Sequence, residues 1–285
     1  MNLKFKSLPA RRLGFTLIEL FVVITVIAIL LSLLMPTLDK GKARASGVRC
    51  LSNNKQIMLA WQMYTDENDG KLLFASEDSN DPQTRTATWV TGTLDFSPAN
   101  RSNWDVEKDI KKSPLWPYCQ STEIWKCPAD TSGVRVHGRF YPRVRSLAMS
   151  LWVGGFGGKV AGFYGNNFRI YRNFSDVVDP GPARTWLFMD QREDSINMGN
   201  FVTVMHGWPN QPQQMRFIED FPASYHHRAG GLSFFDGHAE IHRWVDSRTM
   251  PPLRKDSNFL QARGLVPSPN NPDIRWLQER ATRKN

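Results

Sequence analysis

The sequence predicts an α+β fold, a long N-terminal helix packed on a C-terminal antiparallel β-sheet domain, and three observations carry that prediction. Phe15 to Met35 is an apolar run of 21 residues interrupted only by Thr16, Glu19, Thr25 and Ser32. From Thr37 to Tyr64 no further proline interrupts, and Leu51, Ile57, Met58, Trp61 and Tyr64 recur at the spacing of one helical face. Beyond Gly70 that period gives way to short β-rich runs divided by Gly, Pro, Asn and Asp clusters.

Taken in order, residues 1–14 hold Lys4, Lys6, Arg11 and Arg12 and no acid, so this basic leader stays on the cytoplasmic side by the positive-inside rule. Residues 15–35 form a transmembrane helix, since about 20 apolar residues cross a hydrocarbon core of about 30 Å. A removable signal peptide has a shorter apolar stretch and a small-residue cleavage site after it, and no such site follows Met35 cleanly. Glu19 is the exception within the span. A carboxylate in the bilayer costs about 2.5 to 3.5 kcal/mol on insertion scales, so it requires a use or a partner.

Residues 36–69 extend the helix beyond the membrane. Pro36 removes a backbone donor and can kink a helix, which transmembrane helices tolerate. Lys40, Lys42, Arg44 and Arg49 make the lower part polar. Thr65 to Gly70 ends the helix, with Gly70 suited to the left-handed position. Asp66, Asn68 and Asp69 lack the full alternating ligand spacing of an EF-hand, which favours a helix stop over a calcium loop.

Residues 70–285 form the globular β-rich domain. Strands are expected within Ala87–Leu94, Arg145–Val153, Arg184–Met189, Phe201–Met205 and Gly231–Trp244, with glycine-rich Val153–Gly165 as a surface loop. Asp236-Gly237 signals a two-residue type I′ hairpin. That turn pairs Phe235 with His238 and Leu232 with Ile241, setting Leu232, Phe234, Ala239 and Ile241 against the helix. Ser233, Phe235, His238, Glu240 and His242 then share the other face. His226, His238, His242, Asp190, Asp236 and Glu240 are conceivable zinc or calcium ligands, with His226, Asp236 and His238 as the core set. The structural reading is favoured: Asp236 shapes the turn, His226 hydrogen-bonds it or a backbone group, and the others are solvated. No HExxH, CxxC pair or phosphate cradle is present, so no catalytic residue and no cofactor is expected. A hydrolase would have to rest on His226 and Asp236.

Net charge is +9 and four positives sit in the leader, so its removal leaves 9 − 4 = +5. No basic block interleaved with aromatics occurs; the densest, Lys108–Lys112, contains Asp109. No nucleic-acid partner is expected.

The string Arg11 to Glu19, and within it Gly14, Phe15, Thr16, Leu17 and Glu19, resembles the N-terminus of type IV prepilins and type II secretion pseudopilins. The resemblance implies a pilin-like fold. It also implies cleavage between Gly14 and Phe15 by a prepilin peptidase/methyltransferase, N-methylation of Phe15, and filament assembly in which Glu19 neutralises the N-terminal amine of a neighbouring subunit. Other pilin-like subunits and the membrane are then the partners. The chain would be a single-pass protein of the cytoplasmic (inner) membrane with its C-terminal domain extracytoplasmic.

A second string, His226 followed by nine residues and Asp236-Gly237, is similar to the signature of a group of prepilin-like proteins abundant in planctomycetes. Cys50–Gln56 with Tyr64, Cys127-Pro128-Ala129-Asp130, Arg145–Met149 and Phe188-Met189-Asp190 match that group as well, Leu147 departing from its aromatic. The group carries no settled activity to transfer. Outside the cytoplasmic membrane a disulfide persists. Cys127 is the common partner, either of Cys119 in a small loop or of Cys50 on the helix. The family-like positions favour Cys50 with Cys127, and sequence does not fix connectivity. Two functions stay open: a structural subunit of a secretion or pilus-like filament, and a membrane-tethered protein binding a glycan or metal. For the second, Trp89, Trp104, Trp116, Trp125 and Trp152 are the sugar-stacking candidates, although most of the ten tryptophans are expected to pack in the core.

Overall fold

The computed structural model of the chain describes residues 15–260 and 263–285, without the side chains of residues 36, 37, 39, 40, 42 and 43. The leader and Gly14 lie outside the described residues. The chain is α+β: an N-terminal apolar helix precedes a domain of antiparallel and mixed sheets. Helix α1 runs Leu17–Glu67, and the chain divides into two units at Lys42/Ala43.

In the first unit, Leu17–Met35 has a mean hydropathy of 2.9 and none of it is buried. Thr16 opens the helix with a reciprocal capping box: its hydroxyl accepts from the Glu19 amide at 3.2 Å, while a Glu19 carboxylate oxygen accepts from the Thr16 amide at 2.8 Å.

In the second unit, α1 buries Cys50, Asn54, Ile57, Met58, Trp61 and Thr65. Spacings of three and four keep these on one face. The helix ends where the sequence predicts, Gly70 standing at φ +76° with its amide on the Thr65 carbonyl at 2.9 Å. A short helical turn, α2 (Trp116–Cys119), follows.

The strands are β1 (Gly133–Val136), β2 (Arg139–Pro142), β3 (Leu147–Ser150), β4 (Trp186–Asp190), β5 (Asn200–Phe201), β6 (Arg216–Ile218), β7 (Ala229–Phe234), β8 (Ala239–Arg243) and β9 (Leu265–Pro267). The main sheet has the order β5-β3-β4-β7-β8; β1–β2 and β6–β9 form two-stranded ribbons. The sheet is mixed, because β5 runs parallel to β3.

Both faces of the sheet are covered, so β3, β4 and β7 are buried throughout rather than alternating. On one face Ile57, Met58 and Trp61 of α1 join Leu147, Met149, Phe188 and Phe235. On the other, Ala148, Trp186, Met189, Leu232 and Phe234 pack with Ile274 and Leu277 of α3 (Pro272–Gln278). Asn271 caps α3, accepting from the amides of Asp273 at 2.8 Å and Ile274 at 3.2 Å, and Pro272 follows at its first position.

Two expected strands shrink. Pro82–Ala87 forms a 3-10 turn capped by Asp81, and Thr88 makes a single bridge to Phe74. Of Phe201–Met205 only Phe201 pairs, because the Val202 amide is taken by the buried Asp220 carboxylate at 2.7 Å.

The hairpin is shifted by one residue. Ser233 pairs with Ala239, Leu232 with Glu240 and Gly231 with Ile241. Gly237 alone of the turn pair has positive φ, +92°, and its amide bonds the Phe234 carbonyl at 2.9 Å. This is a three-residue loop of type I with glycine in the left-handed position, not a type I′ turn. A one-residue slip flips one strand's side chains relative to the other. Gly231 and Phe235 therefore face the helix, and Leu232 and Phe234 face α3.

Candidate functional site

Two places hold chemistry, one in each unit. In the first, Phe15 and every residue to Met35 are exposed. Glu19 accepts a second bond from the Thr16 hydroxyl at 2.7 Å. The carboxylate is thus the one acid among the described residues of an otherwise apolar, uncovered segment.

In the second unit the structure brings together residues that sequence spacing kept apart. Cys50 comes from α1, Cys127 from the turn after Trp125, and His226 from the segment entering β7. One ligand atom of each lies within 4.8 Å of the other two, and all three residues are buried. The Cys127 Sγ is 3.2 Å from His226 Nε2. All three cysteines are free thiols, and Cys119 lies on α2, outside this cluster.

Each member is held in place by the fold. Asn53, one turn along the helix from Cys50, donates to the carbonyls of Glu123 at 3.0 Å and Lys126 at 3.1 Å, which docks the Cys127 loop onto α1. The Cys127 amide donates to Ser146 Oγ at 2.7 Å. Ser146 in turn donates to Asp190 Oδ1 at 2.9 Å, and the Cys50 thiol donates to Asp190 Oδ2 at 2.7 Å. Asp190 ends β4, so the last strand residue joins helix, loop and thiol. His226 Nδ1 lies 3.4 Å from Ser46 Oγ, and its amide donates to the Ala229 carbonyl at 3.0 Å. The next two residues, His227 at φ +52° and Arg228 at φ +67°, are non-glycine residues in the left-handed region. That conformation costs about 1 to 3 kcal/mol per residue and persists only where the surroundings impose it.

Gly231 keeps the cluster open. A Cβ there would stand 2.6 Å from Cys50 Sγ, 2.7 Å from Asp190 Oδ2 and 2.8 Å from Asn54 Nδ2. Burial and the adjoining groups set the electrostatics of this site. Burial raises the Asp190 carboxyl to about 6, against the opposing bonds from Cys50 and Ser146. The adjoining Cys127, burial and the Asp190 charge push the Cys50 thiol well above its usual range. The cluster sits between two openings: Cys127 lines a polar cavity of about 460 Å³ with Arg49 and Lys126, and His226 lines an apolar one of about 370 Å³ with Val48 and Ile241.

The metal set read from sequence does not assemble. His226 lies beside Gly47, whereas Gly237 lies beside Gln62, fifteen residues and about 22 Å along α1. His226 therefore makes no turn bond to Asp236. Asp236 Oδ1 instead bonds the exposed His238 Nδ1 at 2.6 Å, and that ring stacks on Phe234. His242 stacks on Trp276 and pairs with Glu240 at 3.5 Å. Three of the five sugar-stacking candidates are closed off in the core. Trp89 and Trp125 are buried and stacked on each other at 5.5 Å, and buried Trp152 donates to the Thr203 carbonyl. Trp104 and Trp116 are half-buried.

From sequence, His226 and Asp190 are conceivable ligands, and Cys50 and Cys127 are disulfide candidates whose proximity to His226 sequence spacing does not reveal. The usable signal was chemical: two cysteines and a histidine inside the motifs already singled out.

Comparison with known proteins reaches the first unit only. Residues 9–35 match the prokaryotic N-terminal methylation motif, so the N-terminus is prepilin-like. No curated protein and no solved structure matches the chain.

Proposed function

We propose that this protein is a pilin-like subunit that anchors in the cytoplasmic membrane by a single helix and assembles through it into a type II secretion or type IV pilus-like filament. The supporting observation is the methylation motif at residues 9–35 running into an apolar helix whose residues Leu17–Met35 are all exposed, with Glu19 as its acid. A prepilin peptidase/methyltransferase cuts between Gly14 and Phe15 and methylates Phe15. The domain carried on residues 70–285 then lies outside the membrane, and the chain is structural rather than catalytic. Glu19 supplies the assembly contact. Its carboxylate is already turned toward the helix start by the Thr16 bonds, where it meets the methylated amine of a neighbouring subunit as a charge-assisted hydrogen bond.

The capping box gives Glu19 a competing duty, and two substitutions separate the two. Glu19→Ala removes charge and cap; Glu19→Gln keeps the cap, which glutamine also makes, and removes the charge. Both variants are expected to insert, be processed to a methyl-Phe15 terminus by mass spectrometry, and fail to appear in the sheared filament fraction. Filaments from Glu19→Gln but not Glu19→Ala would assign the residue to helix capping alone. Normal assembly of both would make the helix a plain tether and favour a membrane-anchored binding protein. Gly14→Val should leave the uncut precursor in the membrane, and a native terminus beyond Met35 in the unaltered protein would sink the prepilin reading.

A further inference from the structure

We propose that Cys50, Cys127 and His226 bind a single zinc ion, with Asp190 as the residue that positions the Cys50 sulfur. The argument begins with geometry. Tetrahedral zinc with Zn–S near 2.3 Å and Zn–N near 2.0 Å sets a sulfur and a nitrogen about 3.5 Å apart, and the Cys127 Sγ to His226 Nε2 separation is 3.2 Å. All three donor atoms lie within 4.8 Å of one another. The donor set is the second point. Two thiols and an imidazole are the ligand types that zinc takes in structural and catalytic sites.

A disulfide accounts for less of what is present. It needs the two sulfurs only, and leaves no purpose for an imidazole nitrogen against one of them or a carboxylate oxygen 2.7 Å from the other. Zinc uses all four. With Nε2 on the metal, Nδ1 carries the proton and faces Ser46 Oγ. Such an outer partner is what fixes a ligating histidine's tautomer. Asp190 is oriented in turn by Ser146, whose hydroxyl also holds the Cys127 amide, so one serine ties both cysteine-bearing segments together. Gly231 leaves the space that a side chain would fill. Binding breaks two S–H bonds and forms two Zn–S bonds, the Cys127 proton passing to solvent and the Cys50 proton to Asp190 Oδ2 at 2.7 Å, whose O–H then donates to the Cys50 thiolate, so two thiolate charges meet the dication. The remaining coordination position is left for water from the polar cavity that Cys127 lines.

The site would join α1 to the Cys127 loop and to the start of β7, three segments far apart in sequence. Its consequence is stability of the domain by mass action, since a metal that binds only the folded state stabilises it.

The test uses the full chain in detergent, purified with reductant, stripped with EDTA and titrated with Zn²⁺ or Co²⁺. One metal per chain is expected by native mass spectrometry, with an intense thiolate-to-cobalt charge-transfer absorption and a fall from three titratable thiols to one. Cys50→Ser, Cys127→Ser and His226→Ala should lose the absorption, and Cys119→Ser should retain it. Asp190→Ala should bind with 1:1 stoichiometry but about 10- to 100-fold more weakly, the effect of losing an outer partner. Because a variant can fail to fold, the unaltered chain decides. No stoichiometric metal in reductant, loss of binding in Cys119→Ser, or a Cys50–Cys127 disulfide in chain isolated from membranes with its thiols blocked would each overturn the proposal.

Discussion

Leu17–Met35 exposes every side chain along α1, whereas Cys50, Ile57, Met58 and Trp61 further along the same helix are closed off by a sheet. A helix that is apolar all round belongs inside a protein core or a membrane, and one with a single apolar stripe is covered from one side. On the proposed function the first half serves lipid and other subunits, and the second serves the fold. The sharpest way to break that division is a pair of truncations. Met58→Ala should cost the domain about 2 to 5 kcal/mol by transfer and cavity terms. In a domain of this size each kcal/mol lowers the thermal midpoint by about 2 to 4 °C. Leu30→Ala, at a position 60% exposed, should leave the midpoint of the detergent-solubilised chain unchanged. An equal drop in both would mean that the stem is packed against the domain.

The second contrast lies within the hairpin, between two glycines needed for different reasons. Gly231 has Cys50, Asp190 and Asn54 atoms closer than 3 Å to any added Cβ. Overpacking of that kind costs about 1 to 3 kcal/mol, so Gly231→Ala should lower the midpoint by several degrees. Gly237 meets only the flexible end of Gln62 but stands at φ +92°. There Gly237→Val is strained by backbone conformation, since positive φ is costly for a β-branched residue, and it should also lower the midpoint. His238→Ala, beside it on the exposed tip, should leave it nearly fixed. The distinguishing measurement is metal affinity: Gly231→Ala should weaken cobalt binding and Gly237→Val should not. Equal weakening by both would put the cluster under the control of the whole hairpin.

The legible part of this molecule is the part where physics acts on contiguous residues. A basic leader, an apolar run and one acid are read directly, and so is the glycine that stops α1. The hairpin was legible in position but not in register, because Asp236-Gly237 suits both a two-residue and a three-residue loop. Phe235 decides between them. It packs edge-on against Trp61 at 5.0 Å, which draws it into the turn, and nothing local encodes that long-range contact. The Cys50, Cys127 and His226 cluster was hidden for the same reason. His226 was linked to Asp236 by a fixed interval in sequence, yet the strand between them carries the two to opposite ends of the covered helix face. The ribbon of β6 and β9 pairs Arg216–Ile218 with Leu265–Pro267, three residues on each side, too short and too distant for a periodicity to announce.

The smallest expected effect separates the buried acids of the domain. Asp220 is buried on the sheet side, accepting from the Val202 amide at 2.7 Å and from Gln191 Nε2 at 2.6 Å. Burial raises its carboxyl well above the usual 3.8, with the Glu219 charge adding and the two hydrogen bonds opposing. The folded state thus keeps a proton that the unfolded chain has released. Stability contributed by that proton is fully present below the unfolded value near 3.8 and is lost as pH rises through the folded one, at up to about 1.4 kcal/mol per pH unit. Asp220→Asn removes the titration. One amide oxygen can keep the Val202 bond, and Gln191, whose Oε1 has no partner in the structure, can turn its own amide to accept from the new NH₂. The expected outcome, read from denaturant midpoints of the metal-stripped chain at a series of pH values upward from 3.8, is a shallower fall in stability for Asp220→Asn than for the unaltered protein. Parallel curves would show that the carboxylate ionises inside the fold without penalty and that Val202 and Gln191 fully replace its water.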